Sequence, residues 1–282
     1  MTEVELIELL TRNIPRHKGD LKIGIGDDCS VIRAGKKDIL ISCDSLVEDI
    51  HFKRKWASWD VWGAKIAAAA LSDIAAKGGK PCYAWVNLSI PKNVSAKQTQ
   101  TFYNGLLKIL KKFKTTIAGG NITKSPKGFS AILTVWGEIA SGKAMLRDKA
   151  KGGDTVYVSG VLGKNDFVKS PHIKLGQWLV KKGCRCAIDV SDGLLKDLGH
   201  IAKASKVKIV LNAEKLPHEG PLKKALTRGE DYVLAFTGRL PYSNRYHMVG
   251  EVKKGSSCVQ VVDSKGNLLS FPNSGFDHRI TG

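Results

Sequence analysis

No apolar run in this sequence is long enough to cross a membrane, and Met1-Thr2-Glu3-Val4-Glu5 lacks the basic and apolar regions of a signal peptide. A cytoplasmic chain with no membrane partner is expected. The six cysteines are scattered and form no Cys-x-x-Cys pair, which excludes a disulfide scaffold and the usual zinc knuckle. Reduced, mostly buried thiols are expected instead. No Gly-x4-Gly-Lys-Ser/Thr occurs, because Gly163-Lys164 precedes Asn165 and Gly142-Lys143 precedes Ala144. P-loop enzymes are therefore excluded. Gly24-Ile25-Gly26 lacks the third glycine of a dinucleotide fingerprint, and neither Gly-x-Ser-x-Gly nor His-Glu-x-x-His is present. None of the seven histidines pairs at metal-ligand spacing, so His51, His200 and His278 each read first as structural residues.

Negative charge is the scarce sign. Lys and Arg number 45 against 26 Asp and Glu, for a net charge of +19. Such a balance concentrates polyanions such as nucleotides or phosphorylated metabolites. The lysines are spread along the chain, however, and the densest group (Lys108, Lys111, Lys112, Lys114) falls on an amphipathic helical pattern, which reads as a solvated face. No nucleic-acid module is visible, and nucleic acid is not expected as a partner. With 282 residues and 43% hydrophobic content, the chain can bury two cores.

The most informative stretch is Ala187-Ile188-Asp189-Val190-Ser191-Asp192-Gly193-Leu194-Leu195. Its apolar lead-in reads as a short strand that ends at Asp189. Leu194, Leu195, Leu198, Ile201 and Ala202 then follow at helical spacing, with Ser191 as the expected N-cap. Two carboxylates three residues apart at a strand-to-helix corner suit Mg²⁺. Upstream, Gly24-Ile25-Gly26-Asp27-Asp28 forms a tight turn bearing two acids, and a strand over 38–44 is read as ending at Asp44. An Ala-rich helix over 58–77 stops at Gly78-Gly79 and carries Asp73 among apolar neighbours, where an acid needs solvent, a partner or a metal. Strands follow at 81–90 and 130–139 and a helix at 96–113. Between them, Gly119-Gly120 is read as a turn whose amides face an anion, with a plain turn as the alternative. A Lys/Gly-rich connector after Arg147 divides the expected domains, 1–147 and 148–282. Irregular mixing of strands and helices predicts an α+β fold.

Acids at element ends (Asp27, Asp28, Asp44, Asp73, Asp189, Asp192) would repel one another strongly if gathered, unless cations neutralise them. Together with paired glycines, Arg147 and a basic background, they point to ATP with Mg²⁺ and to phosphoryl transfer.

Six motifs occur in order: Gly24-Ile25-Gly26-Asp27-Asp28, Ser42-Cys43-Asp44-Ser45-Leu46-Val47-Glu48-Asp49-Ile50-His51-Phe52, Leu71-Ser72-Asp73, Gly119-Gly120-Asn121-Ile122-Thr123, Ile188-Asp189-Val190-Ser191-Asp192-Gly193-Leu194 and Gly229-Glu230-Asp231-Tyr232. Over nearly the whole chain this set resembles the thiamine-monophosphate kinase family of the AIR-synthase-like (PurM-like) ATP-binding superfamily. The resemblance implies a two-domain fold whose N-terminal α/β domain pairs with its twin in a homodimer. It implies ATP-dependent conversion of thiamine monophosphate to thiamine diphosphate with Mg²⁺. Asp28, Ser42, Asp44, Asp73, Asp189 and Asp192 match metal positions, and Gly120, Asn121, Arg147 and Ser191 lie at nucleotide positions. His51, Glu230 and Phe276 match the substrate side, and Asp189, Asp192 and Arg147 the catalytic centre. Two residues depart from the family pattern: Asn121 stands where Asp is common, which weakens one metal position, and Cys43 stands where Thr is common.

Two other readings compete. A selenophosphate or aminoimidazole ribonucleotide synthetase shares the superfamily, but no Cys precedes Cys29, and the synthetases differ over Asp44–Phe52. A basic, non-enzymatic RNA-binding protein on the same scaffold would not keep clustered carboxylates, which repel an RNA backbone.

Overall fold

The structure is a computed structural model that describes residues 2–12, 14, 19–271 and 275. Six strands, β1 (Leu21–Ile23), β2 (Ser30–Ala34), β3 (Lys37–Val47), β4 (Lys80–Pro91), β5 (Thr116–Ser125) and β6 (Ser130–Ala140), form one sheet in the order β1-β2-β3-β6-β4-β5. Its pairings are antiparallel except β4 with β5. A second sheet comprises β7 (Thr155–Val158), β8 (Cys186–Asp189), β9 (Lys208–Asn212), β10 (Leu234–Gly238), β11 (His247–Lys253), β12 (Cys258–Val262) and β13 (Leu268–Leu269). Its order is β13-β12-β9-β11-β7-β10-β8. Two mixed, mainly antiparallel sheets with helices between and behind them form the expected α+β architecture.

The helices are α1 (Glu3–Thr11), α2 (Trp59–Ala76), α3 (Ala96–Lys112), α4 (Ile173–Lys181), α5 (Leu194–Ser205) and α6 (Leu222–Thr227). Helix α2 is the central one, buried on nearly every side from Trp59 to Ala76. Its sequence is apolar all round, the pattern of a helix enclosed by other layers. One continuous apolar cluster joins α2, the inner face of the first sheet, α4 and residues Tyr157, Ala187, Leu234, Phe236 and Tyr246 of the second half. A second cluster packs α5 and α6 on the opposite face of the second sheet. The two halves thus share a core, which fixes the site between them. Among the described residues, no helix is long and apolar enough to cross a membrane.

The helix stop after α2 is as expected. Gly78 adopts φ +73°, and the amides of Gly78 and Gly79 donate back to Ala75 O and Ile74 O at 2.9 Å each. Three expectations are corrected. Gly119 and Gly120 form no turn; they lie within edge strand β5, beside a register shift opposite Ala84 and Trp85. Asp44 stands three residues inside β3 rather than at its end, because β3 pairs with β6 as far as Val47. Of the thiols, all are free, but only Cys29, Cys184 and Cys186 are buried, and Cys43 is exposed.

Helices α2 and α3 meet through reciprocal glycines. A Cβ on Gly63 would stand 1.8 Å from Phe102 O, and one on Gly105 would stand 1.8 Å from Asp60 O. Neither backbone can yield without separating the helices. Gly63→Ala is therefore expected to destabilise the fold by about 1–3 kcal/mol, read as a lowered urea midpoint. An unchanged midpoint would show that the two helices are not locked at this contact.

Candidate active site

Four segments converge on the polar residues of α2. The β1–β2 loop brings Asp27 and Asp28, β3 brings Ser42 and Asp44, and the end of β8 brings Asp189. The segment Arg147–Lys149, a single 3-10 turn, brings Arg147. Carboxylate oxygens of Asp28, Asp73 and Asp189 lie within 4.8 Å of one another, a ligand set for a cation. Ser42 Oγ donates to Asp73 Oδ2. Asp44 acts electrostatically on both Asp73 and Asp189.

Two cations that the sequence reading missed organise these acids. Lys77, at the C-cap of α2, is fully buried, with Nζ on Asp27 Oδ1 and 2.6 Å from Asp28 Oδ2. Lys65, about three turns earlier on the same helix, is also buried; its Nζ donates to His51 O at 3.1 Å and pairs with Glu230 Oε1 at 2.6 Å. Lys65 thereby joins two residues expected on the substrate side. Lys65 had a signal in the sequence, a lysine inside an otherwise apolar helical run, since a buried ammonium demands a carboxylate. Arg147 bonds Asp28 Oδ1 through Nη2 and reaches Gly26 O at 3.3 Å, while its backbone N–H donates to Asp27 Oδ2 at 3.1 Å. Its buried Nε has no hydrogen-bond acceptor among the described residues.

The electrostatics split the acids into two groups. Burial pushes the Asp189 carboxyl up to about 7, with the charges of Asp28 and Asp44 adding to the effect. Burial likewise lifts Asp44 to about 6. Asp73 is driven well above the carboxylate range, by burial first and then by Asp44 and Asp189. Asp28 goes the other way: burial opposes its charge, but Arg147 and Lys77 outweigh it and hold the carboxyl below its ordinary value. An uncompensated trio beside a compensated acid is a donor set that fits a divalent cation, the one partner able to neutralise several carboxylates at once.

Not every expected residue joins this cluster. Asp192 pairs with Lys196 at 2.7 Å and groups instead with Asp197 and His200 at the start of α5. Ser191 is not the N-cap. Gly193 holds that position at φ +118°, and Asp197 accepts from the amides of Asp192 and Gly193 at 3.1 Å each. A Cβ at Gly193 would meet Thr227 C at 2.9 Å, so the 190–193 and 227–232 loops pack there backbone to backbone. Ser191 O accepts from Glu230 N at 2.7 Å, and Glu230 itself sits at φ +68°. Strained backbone of this kind gathers at functional sites. Gly120 and Asn121 lie outside the acid cluster. The row Ser45, Ile132, Asn87, Asn121 crosses the sheet, so Asn121 is three strand spacings, about 14 Å, from Ser45. Phe276 lies outside the described residues. His51 Nδ1 accepts from Val47 N at 3.1 Å, which leaves the proton of the neutral ring on Nε2.

An acid whose pKa is higher folded than unfolded favours the folded state only while protonated. Its contribution is full below the unfolded value and is lost as pH rises toward the folded one. The metal-free chain is thus expected to lose stability between pH 4 and pH 7 through Asp44 and Asp189. Asp189→Asn should raise stability at pH 8 in EDTA by on the order of 2 kcal/mol, read as a higher melting temperature, and flatten the pH profile. A variant less stable than the parent at pH 8 would contradict this.

Residues 26–139 match the family model described as AIR synthase related protein, N-terminal domain. A thiamine-monophosphate kinase of Buchnera aphidicola subsp. Schizaphis graminum is 33% identical, with 99% of each chain covered. The thiamine-monophosphate kinase of Bacillus subtilis is also 33% identical, over 84% of this chain and 83% of its own. Among solved structures, one described as AaThiL complexed with AMPPCP and TMP superposes with a TM-score of 0.87 at 28% identity, covering 98% of this chain and 97% of that one. The chain belongs to the thiamine-monophosphate kinase family.

Proposed function

We propose that this chain transfers the γ-phosphoryl group of ATP directly to the phosphate of thiamine monophosphate. A terminal phosphate oxygen of the acceptor forms the new P–O bond in line with the breaking bond to the β-phosphate, and ADP leaves. The observation that carries this reading is the convergence of Asp28, Asp73 and Asp189 beside Arg147 and Asp44. A phosphate monoester is already an anionic nucleophile at neutral pH, so no general base is required. Alignment and charge neutralisation then supply the rate enhancement.

Asp73 and Asp189, gathered with Asp28 and with Ser42 and Asp44 beside them, would hold Mg²⁺, whereas Asp192 stands apart with Asp197 and His200. When bound, Mg²⁺ supplies neutralisation of phosphate charge that these acids alone would oppose. Arg147, whose Nε lies 3.8 Å from Asp27 Oδ1 and makes no hydrogen bond among the described residues, contributes a guanidinium beside the acids that would offset phosphate charge. Ser191 is held against Glu230 and borders the nucleotide. Gly120 and Asn121, three strand spacings from Ser45 on the first sheet, would contact the nucleotide. On the acceptor side, His51 Nε2–H is a donor for the monophosphate. The Glu230 carboxylate, fixed by Lys65, attracts the cationic thiazolium ring. Phe276 supplies an aromatic surface to the thiamine rings.

The working unit is a homodimer in the cytoplasm, with residues 1–147 as the metal-binding and dimerisation domain and 148–282 as the second domain. Support for the dimer comes from the first sheet. Helices cover one face, while Tyr83, Trp85, Ile122 and Ile132 are exposed on or beside the other. An apolar sheet face left open to water is the signature of an interface. Its depletion in charge fits a second copy of the same face.

Two measurements test the reading. Purified protein with ATP, Mg²⁺ and thiamine monophosphate is expected to form thiamine diphosphate, and Asp189→Asn to lower turnover by about 10²-fold or more while remaining folded. Failure to form product across salt, metal and temperature would refute the kinase reading. Sedimentation equilibrium should give a dimer that Trp85→Glu with Ile132→Glu converts to monomer; a monomeric parent chain would refute the dimer.

A further inference from the structure

Lys77 does more than fill a helix end. Its side chain has no solvent exposure, and neither does that of Asp28, while Asp27 is 8% exposed. One ammonium therefore meets two buried carboxylates, with Ala187 O of β8 completing its surroundings at 3.4 Å. Asp28 is answered twice, by Arg147 at Oδ1 and by the Lys77 ammonium 2.6 Å from Oδ2, an ion pair in which Oδ2 accepts no hydrogen bond. Asp44, Asp73 and Asp189 form no ion pair with any Lys or Arg among the described residues.

The spacing along α2 explains the division. Asp73 and Lys77 are four residues apart, so they project on one side of the helix, one turn from each other. The earlier turn offers a carboxylate to the trio. The last turn offers an ammonium to the β1–β2 loop, at the helix end where a cation is favoured by the dipole. Lys77 is anchored at its backbone, where its N–H donates to Asp73 O at 3.1 Å and its carbonyl accepts from Met145 N at 3.3 Å, and its side chain has no solvent exposure. An ion approaching Asp28 Oδ2 would have to displace a fully buried ammonium.

We propose that Lys77 is a built-in counter-cation that occupies the place of a metal ion at the Asp27–Asp28 pair: Asp28 lies within 4.8 Å of Asp73 and Asp189, but Arg147 and Lys77 face its two oxygens, which leaves Asp73 and Asp189, with Asp44 beside them, as the acids that recruit divalent cations. This rests on the metal-site reading given above and makes it specific: the loop acids are neutralised by the chain itself, and the trio by solution. Lys77 is thus a positioning residue. It holds Asp27 and Asp28 against β8 whether or not nucleotide and metal are bound.

The test is Mn²⁺ binding to the nucleotide-free protein, followed by electron paramagnetic resonance of free Mn²⁺, with melting curves in EDTA and in Mn²⁺. The parent chain binds Mn²⁺, and Asp189→Asn weakens binding at least 10-fold. Asp28→Asn weakens it no more than about 3-fold, because its charge was already met. Lys77→Met takes up one further Mn²⁺ per protomer, or binds at least 10-fold tighter, and recovers in Mn²⁺ the melting temperature it loses in EDTA. Asp28→Asn as damaging as Asp189→Asn overturns the proposal. So does a folded Lys77→Met whose Mn²⁺ count and affinity are unchanged, or whose lost stability no Mn²⁺ concentration restores. If Lys77→Met does not fold, the comparison of the two Asp variants decides. A parent chain that binds no Mn²⁺ removes the metal-site reading itself, an outcome distinct from the others.

Discussion

Helix α2 is enclosed on nearly every side, and three charged side chains on it and its C-cap, each answered by another segment, set the site. Lys65 is answered by Glu230 and His51 O, Asp73 by Ser42, and Lys77 by Asp27 and Asp28. Each answer comes from a different element: the 227–232 loop and the segment after β3, β3 itself, and the β1–β2 loop. The site is therefore assembled by the burial requirement of one helix. Removing any of the three would leave a partner charged and unpaired in a low-dielectric interior, a far larger penalty than the loss of one surface contact.

The same helix explains why the two halves cannot slide freely. Gly176 of α4 packs where a Cβ would come within 2.1 Å of Ala75 O, and the core that surrounds α2 continues into the second sheet through Tyr157, Phe236 and Tyr246. Asp189, at the end of β8, is carried on that sheet, in register with Leu234 of β10. Its distance from Asp73 is thus set by apolar packing between halves rather than by a flexible hinge. Acids that repel one another are held close because separating them would expose a shared core.

Much of this was legible in the sequence, for identifiable reasons. Asp189, Asp73 and Asp28 stood out because each was an acid in an apolar or glycine-flanked setting, and the fold gathers them. The α2 stop was legible because Gly78-Gly79 has a conformational meaning that any sequence displays. What stayed hidden depends on pairing across long separations. Nothing local distinguishes Lys77 from the many other lysines of a +19 chain until Asp27 and Asp28 are found opposite it. Ser191 was the natural cap by residue type, yet Asp197 captures the free amides from inside the helix and Gly193 supplies the backbone geometry. Gly119-Gly120 read as a turn because paired glycines usually are one. In β5 they instead let the backbone approach β4, where a Cβ at Gly120 would stand 2.0 Å from Val86 O.

Within the acid cluster, compensated and uncompensated carboxylates do different physical work. Asp27 and Asp28 with Lys77 and Arg147 form a set of charge-assisted contacts that holds geometry. Asp44, Asp73 and Asp189 are held near one another without cations, so their mutual repulsion is carried by the fold until a ligand relieves it. That relief is binding energy already directed at the place where phosphate charge must be neutralised. A site in which every acid had its own lysine would be more stable and would bind nothing. One in which none did would not hold together. The division made by α2, with a lysine at its last turn and an acid one turn before, gives the chain a rigid wall on one side of the cluster and an electrostatic demand on the other.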